Sequence, residues 1–130
     1  MISNSFKYTK TVFLIKDFMS NTGNKYRVVS QSPYLDKNKK IGKQGVNLTL
    51  MILEDSGDYG VDKTTGRKRD TNQFNTFDVT VLTGNTYAED LAKGDIISLL
   101  DYDAEHSFVV DMNCILRFNG YRKLNTGNNK

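Results

Sequence analysis

Residues 74–102 read FNTFDVTVLTGNTYAEDLAKGDIISLLDY, and the order of patterns along this stretch decides the expected fold. Over residues 73–82, Phe77, Val79 and Val81 alternate with Asp78 and Thr80, the two-residue period of a strand with one buried face. The period then changes. Thr86 is followed three residues later by Glu89, the spacing at which two side chains satisfy free backbone N–H groups of a first helical turn. Lys93 and Gly94 add a C-terminal stop signal. The spacing predicts a helix over residues 85–93, with Tyr87, Ala88, Leu91 and Ala92 on its buried stripe, and a strand over 95–100.

Working outward, residues 10–18 (KTVFLIKDF) and 25–30 (KYRVVS) have strand composition. In residues 46–54, Val46, Leu48, Leu50 and Ile52 alternate with Asn47, Thr49 and Met51. Residues 107–118 read as a last strand, with Met112, Cys114, Leu116 and Phe118 sharing a face. Residues 31–45 and 55–71 read as long hydrophilic loops, the first holding the chain's single proline. Short strands interrupted by one helix before the last hairpin give the order of an OB-fold. The expectation is therefore an all-β protein, a five-stranded antiparallel barrel with one helix between strands 3 and 4. It would occupy residues 1–124, with a short flexible tail at 125–130.

Composition narrows the class of function. The 130 residues suit one domain, and 38% hydrophobic residues with seven Tyr and seven Phe argue for a folded chain. No apolar run approaches the length of a membrane span, so a cytoplasmic protein that does not engage membranes is expected. One cysteine, Cys114, and one histidine, His106, supply neither an internal disulfide nor a zinc site. The net charge of +3 is unevenly spread. Residues 1–69 hold thirteen Lys or Arg against six Asp or Glu, whereas residues 70–111 hold one against nine. Segregation of this kind predicts a basic surface suited to a polyanion and a separate acidic one.

The stretch 74–102 also resembles the single-stranded DNA-binding proteins of bacteria, phages and conjugative elements. An alternating third strand leads there into a short helix, a Lys-Gly-Asp or Lys-Gly-Ser turn and an apolar fourth strand. Ala88 and Leu91 match the helix positions, and Lys93, Gly94, Asp95, Ile96 and Ile97 match the turn and strand. The resemblance implies a non-enzymatic, largely sequence-independent binder of single-stranded DNA in phage or plasmid DNA replication, transfer or protection. This chain departs from the family's housekeeping members in having no Trp, no acidic tip and an acidic final hairpin, so a divergent member is expected.

Single-stranded nucleic acid is held by cations that follow its phosphates and by aromatic faces on which bases stack. Lys37, Lys39, Lys40 and Lys43 lie beside Tyr34 in the first long loop. Lys63, Arg67, Lys68 and Arg69 lie beside Tyr59 in the second, with Phe74 just beyond. These eleven residues are the expected nucleic-acid-binding set; double-stranded DNA and RNA remain open as alternatives to single-stranded DNA. Tyr26, Phe13 and Phe77 belong to the core by alternation, whereas Phe74 has the parity of the outward residues. The acidic segment 101–106 is left to solvent, a neighbouring subunit or a protein partner. His106 is read as a surface residue. No nucleophile and base pair and no phosphate-cradling glycine loop is found, so neither catalysis, a metal nor a cofactor is expected. The competing reading is a β-barrel protein-interaction module of a phage or conjugation assembly.

Overall fold

The alternation in the middle of the chain becomes the centre of a closed barrel. The computed structural model describes residues 3, 12–37, 39, 41–111 and 113–124. Its strands are β1 (Tyr26–Tyr34), β2 (Gly45–Ile52), β3 (Thr76–Val81), β4 (Ile96–Tyr102), β5 (Phe108–Val110), β6 (Asn113–Ile115) and β7 (Arg117–Lys123), with one helix, α1 (Ile15–Thr22), ahead of them. Five strands close in the order β1-β2-β3-β7-β4, while β5 and β6 form a separate hairpin. Val46, Leu48, Leu50 and Ile52 of β2 are buried with Val79 and Val81 of β3, as their alternation predicts.

Several expectations are corrected. Residues 85–93 form turns rather than a helix between the third and fourth strands. Ala88 and Leu91 are buried as expected, and Gln31 of β1 bonds the backbone at Ala88. Its Oε1 accepts from the Ala88 N–H (2.8 Å) and its Nε2 donates to the Ala88 carbonyl (3.1 Å). The Ala92 N–H, which a helix would direct to the Ala88 carbonyl, donates instead to Asp95 Oδ2 (2.8 Å).

The helix forms instead at Ile15–Thr22, which corrects the strand expected over 10–18. Ile15, Phe18, Met19 and Thr22 stand at helical spacing and face the barrel; Gly23 (φ 71°) ends the helix in the left-handed region. Phe18 stacks on Tyr26 (6.2 Å) and meets Phe77 edge-on (5.2 Å), so the helix covers the barrel end where β1 and β3 begin. Residues 10 and 11 lie outside the described set.

The barrel is not wholly antiparallel. β7 runs parallel to β3 (Thr80 opposite Arg117, Val81 opposite Phe118) and antiparallel to β4. The strand expected over 107–118 is broken into β5, β6 and the start of β7, which runs on to Lys123. The tail expected at 125–130, and Met112, lie outside the described residues.

Closure between β1 and β4 rests on two residue pairs, Tyr26 with Ile97 and Arg27 with Ile96. Asn24 reinforces that seam: its amide donates to the Leu99 carbonyl (3.0 Å) and accepts from the Leu99 N–H (2.9 Å), in the manner of a strand neighbour. Gly45 opens β2 because a Cβ there would sit 2.1 Å from the Val81 carbonyl oxygen.

Candidate nucleic-acid interface

A β-bulge decides which side chains reach the outer surface. In the pairing of β1 with β2, Val28 faces Leu50 but Ser30 faces Thr49, so Val29 is an extra residue. One inserted residue inverts the alternation beyond it. Tyr26 and Val28 therefore point into the core, while Ser32 and Tyr34 share the outer side with Asn47 and Thr49. Tyr34, expected in the loop, is the last residue of β1.

Ser32, Tyr34, Asn47, Thr49, Asp78 and Thr80 floor a groove of about 450 Å³ across the outer face of β1, β2 and β3. One wall is the segment Cys114 to Arg117. The floor is held by its own hydrogen bonds, Thr49 donating to Asp78 (2.7 Å) and Thr80 to Asn47 (2.6 Å). Asp78 and Thr80, placed outward by alternation, are there.

At one end of the groove the guanidinium of Arg117 lies over two rings, 5.4 Å from the centroid of Tyr34 and 5.7 Å from that of Phe108. Its Nη1 donates to the His106 carbonyl (2.7 Å), while its buried Nε has no partner among the described residues. Sequence reasoning missed Arg117 and Phe108. The only sequence signal was that Arg117 is an isolated cation following a long acidic segment.

Beside this stack is a second depression of about 410 Å³, which Lys37 shares with Tyr34, Phe108, Arg117, Glu105 and His106. The acidic segment is thus not held apart from the first basic loop. His106 is a correction too: it is half-buried, with Nδ1 2.8 Å from Asp103 Oδ2. Burial raises the Asp103 carboxyl, but hydrogen bonds from the His106 ring and backbone outweigh it and hold the group below its usual range. The donor atoms of Asp103, Glu105 and His106 lie within 4.8 Å of one another. Asp103 also accepts the His106 N–H and so shapes the short 3-10 turn Ala104–His106.

Lys39 and Lys43 are exposed further along the first loop, whose shape comes from Asp36 accepting the N–H groups of Ile41 and Gly42. Lys40 lies outside the described residues. The second basic loop is at the opposite end of β2, whose eight residues span ~25 Å. Lys63, Arg67, Lys68 and Arg69 are exposed there around a bridge between Val61 and Lys68. Tyr59 is anchored rather than free: its hydroxyl donates to Asp55 (2.6 Å) and accepts from Asn72 (3.2 Å), and the Asp55 bond and burial push it up in pKa. Phe74, at φ 71° and 63% exposed, projects outward at the same end. The expected residues thus form two groups flanking the strand face, with Tyr34 and Lys37 in one and Tyr59 and Phe74 in the other.

Among the described residues no helix is long and apolar enough to cross a membrane. Compared with known proteins, the chain matches no family model, no curated protein and no solved structure.

Proposed function

We propose that this chain is an OB-type barrel that binds single-stranded DNA without catalysis, serving replication, transfer or protection of phage or plasmid DNA. The observation that carries the reading is the groove over β2 and β3, closed at one end by Arg117 over the rings of Tyr34 and Phe108. In OB barrels the face of the second and third strands, with the loops after the first and fourth, is the surface that takes oligonucleotides. Here those loops are residues 35–44 and the segment between β4 and β7, and the groove runs between them. Bases stack on Tyr34, Phe108 and, at the far end, Phe74; phosphates meet Lys37, Lys39, Lys40 and Lys43 and the cations of the second loop. Asp78 is engaged by Thr49 and Asp36 by its own loop, so both carboxylates have structural roles beside the path.

Cys114 gives a direct test, because the chain's sole cysteine is exposed and lines the groove. A bound oligonucleotide should slow its reaction with a maleimide, in proportion to occupancy measured by anisotropy. Binding without protection would move the path off this face. Failure of the protein to be retained on single-stranded DNA resin at low salt would reject the reading and favour a protein-interaction module.

A further inference from the structure

We infer that the depression beside the Arg117 stack selects a nucleobase carrying an exocyclic amino group, namely cytosine, adenine or guanine, over thymine. The inference rests on the nucleic-acid reading above and adds a base preference to an otherwise sequence-tolerant site. At about 410 Å³ the depression has the size of a small-molecule pocket, with Tyr34 and Phe108 offering ring faces to a planar ligand. Stacking alone does not discriminate, since every base has a π-face. Discrimination comes from the polar atoms at the edge.

Those atoms include two carboxylates. The carboxylates of Asp36 and Glu105 line the depression, and an ionised carboxylate only accepts. His106 lines it as well, with its Nδ1 turned to Asp103 at 2.8 Å. Arg117 directs Nη1 to the His106 carbonyl and its Nε is buried, so part of its donor set is turned away from the base edge. Lys37 is the one ammonium there, exposed on a flexible stem and suited to a phosphate rather than a base edge. An acceptor edge pairs with the N–H donors of cytosine N4, adenine N6 or guanine N2. Thymine has no amino group, and its single N3–H is flanked by the O2 and O4 acceptors, which a carboxylate edge repels. The same carboxylates repel phosphate, which orients the nucleotide with its base inward.

The test is a pair of anisotropy titrations with cytosine-only and thymine-only oligodeoxynucleotides of equal length, on the intact chain and on Glu105→Gln. The intact chain should bind the cytosine oligomer about five-fold or more tightly. Glu105→Gln, whose amide both donates and accepts, should erase most of that difference, mainly by improving thymine binding. Glu105 is exposed, and an unchanged melting temperature checks the fold. Equal affinity of the intact chain for both oligomers overturns the inference while leaving the proposed function standing. A cytosine preference that survives Glu105→Gln places the discrimination elsewhere and also overturns it. Binding of neither oligomer rejects the proposed function, and the inference with it.

Discussion

The guanidinium carbon of Arg117 lies 5.4 Å from the centroid of the Tyr34 ring, so the first residue of β7 is stacked on the last residue of β1. The Phe108 ring also lies against it, at 5.7 Å, and the His106 carbonyl takes a guanidinium N–H. One side chain thereby ties the loop after β1 to the segment that carries the β5–β6 hairpin.

Replacing Arg117 with Lys keeps the charge but removes the planar stack. Affinity for single-stranded DNA should fall ~10-fold while the slope of log K against log salt stays the same. Anisotropy at two salt concentrations reads both quantities. A flatter slope would assign Arg117 to a phosphate instead.

The first-loop lysines should behave in the opposite way. Changing Lys39, Lys40 and Lys43 to Gln should weaken binding and flatten the salt dependence, by ~0.7 units of slope for each phosphate no longer neutralised. An unaltered slope would mean that these ammonium groups are only solvated.

Phe74 and Tyr59 now separate. Phe74→Ala should cost ~1–3 kcal/mol of binding with no loss of melting temperature, since the ring is exposed. Tyr59→Phe removes a hydroxyl bonded to Asp55 and Asn72, and should speed hydrogen exchange of the Asn72 amide, which itself donates to Asp55 (2.8 Å). Unchanged exchange would show that the loop holds its shape without that hydroxyl.

The joint between helix and barrel offers a stability test. The Tyr26 hydroxyl is buried against Thr22 Oγ1 at 2.6 Å. Thr22→Val should cost ~1–3 kcal/mol in urea unfolding by leaving that hydroxyl unpaired, and adding Tyr26→Phe should recover part of the loss. A double mutant no more stable than the single would deny the bond any role.

Acid should destabilise the fold through three carboxylates. In Asp55 and Asp103 burial is outweighed by hydrogen bonds, and in Asp95 the Ala92 N–H leads, with Lys123 assisting; each folded pKa lies below the ordinary 3.8. A lowered folded pKa gives stability that is complete above the unfolded value and lost as pH falls through the folded one. Unfolding free energy should therefore drop below about pH 4, and Asp103→Asn should make that drop shallower. An identical acid limb in the mutant would contradict this assignment.

Much of the barrel was legible in local pattern. The inward faces of β2 and β3 follow from alternation in residues 46–52 and 77–81, because a strand buried on one side repeats every two residues. The burial of Ala88 and Leu91 was legible from their spacing, although the element carrying them was not, and Phe74 is exposed as expected but from the turn ahead of β3 rather than from the strand. The helix signal in residues 85–93 did not become a helix: the Ala92 N–H bonds Asp95 Oδ2 in place of the Ala88 carbonyl, which takes a bond from Gln31, far away in the chain. At Ile15–Thr22 the β-branched and aromatic composition suggested a strand, whereas the apolar spacing is helical and the barrel end gives it a surface to cover.

The sequence by itself determined the faces of the central strands, the two basic loops and the segregation of charge, since each depends on neighbours in the chain. Only the tertiary structure decided that Tyr34 faces outward, because a bulge at Val29 is a property of two strands in register. It alone brought Arg117 and Phe108 to Tyr34 and set Glu105 and His106 beside Lys37. Those meetings depend on β7 pairing between β3 and β4, and pairing between distant strands leaves no period in the sequence from which to read it.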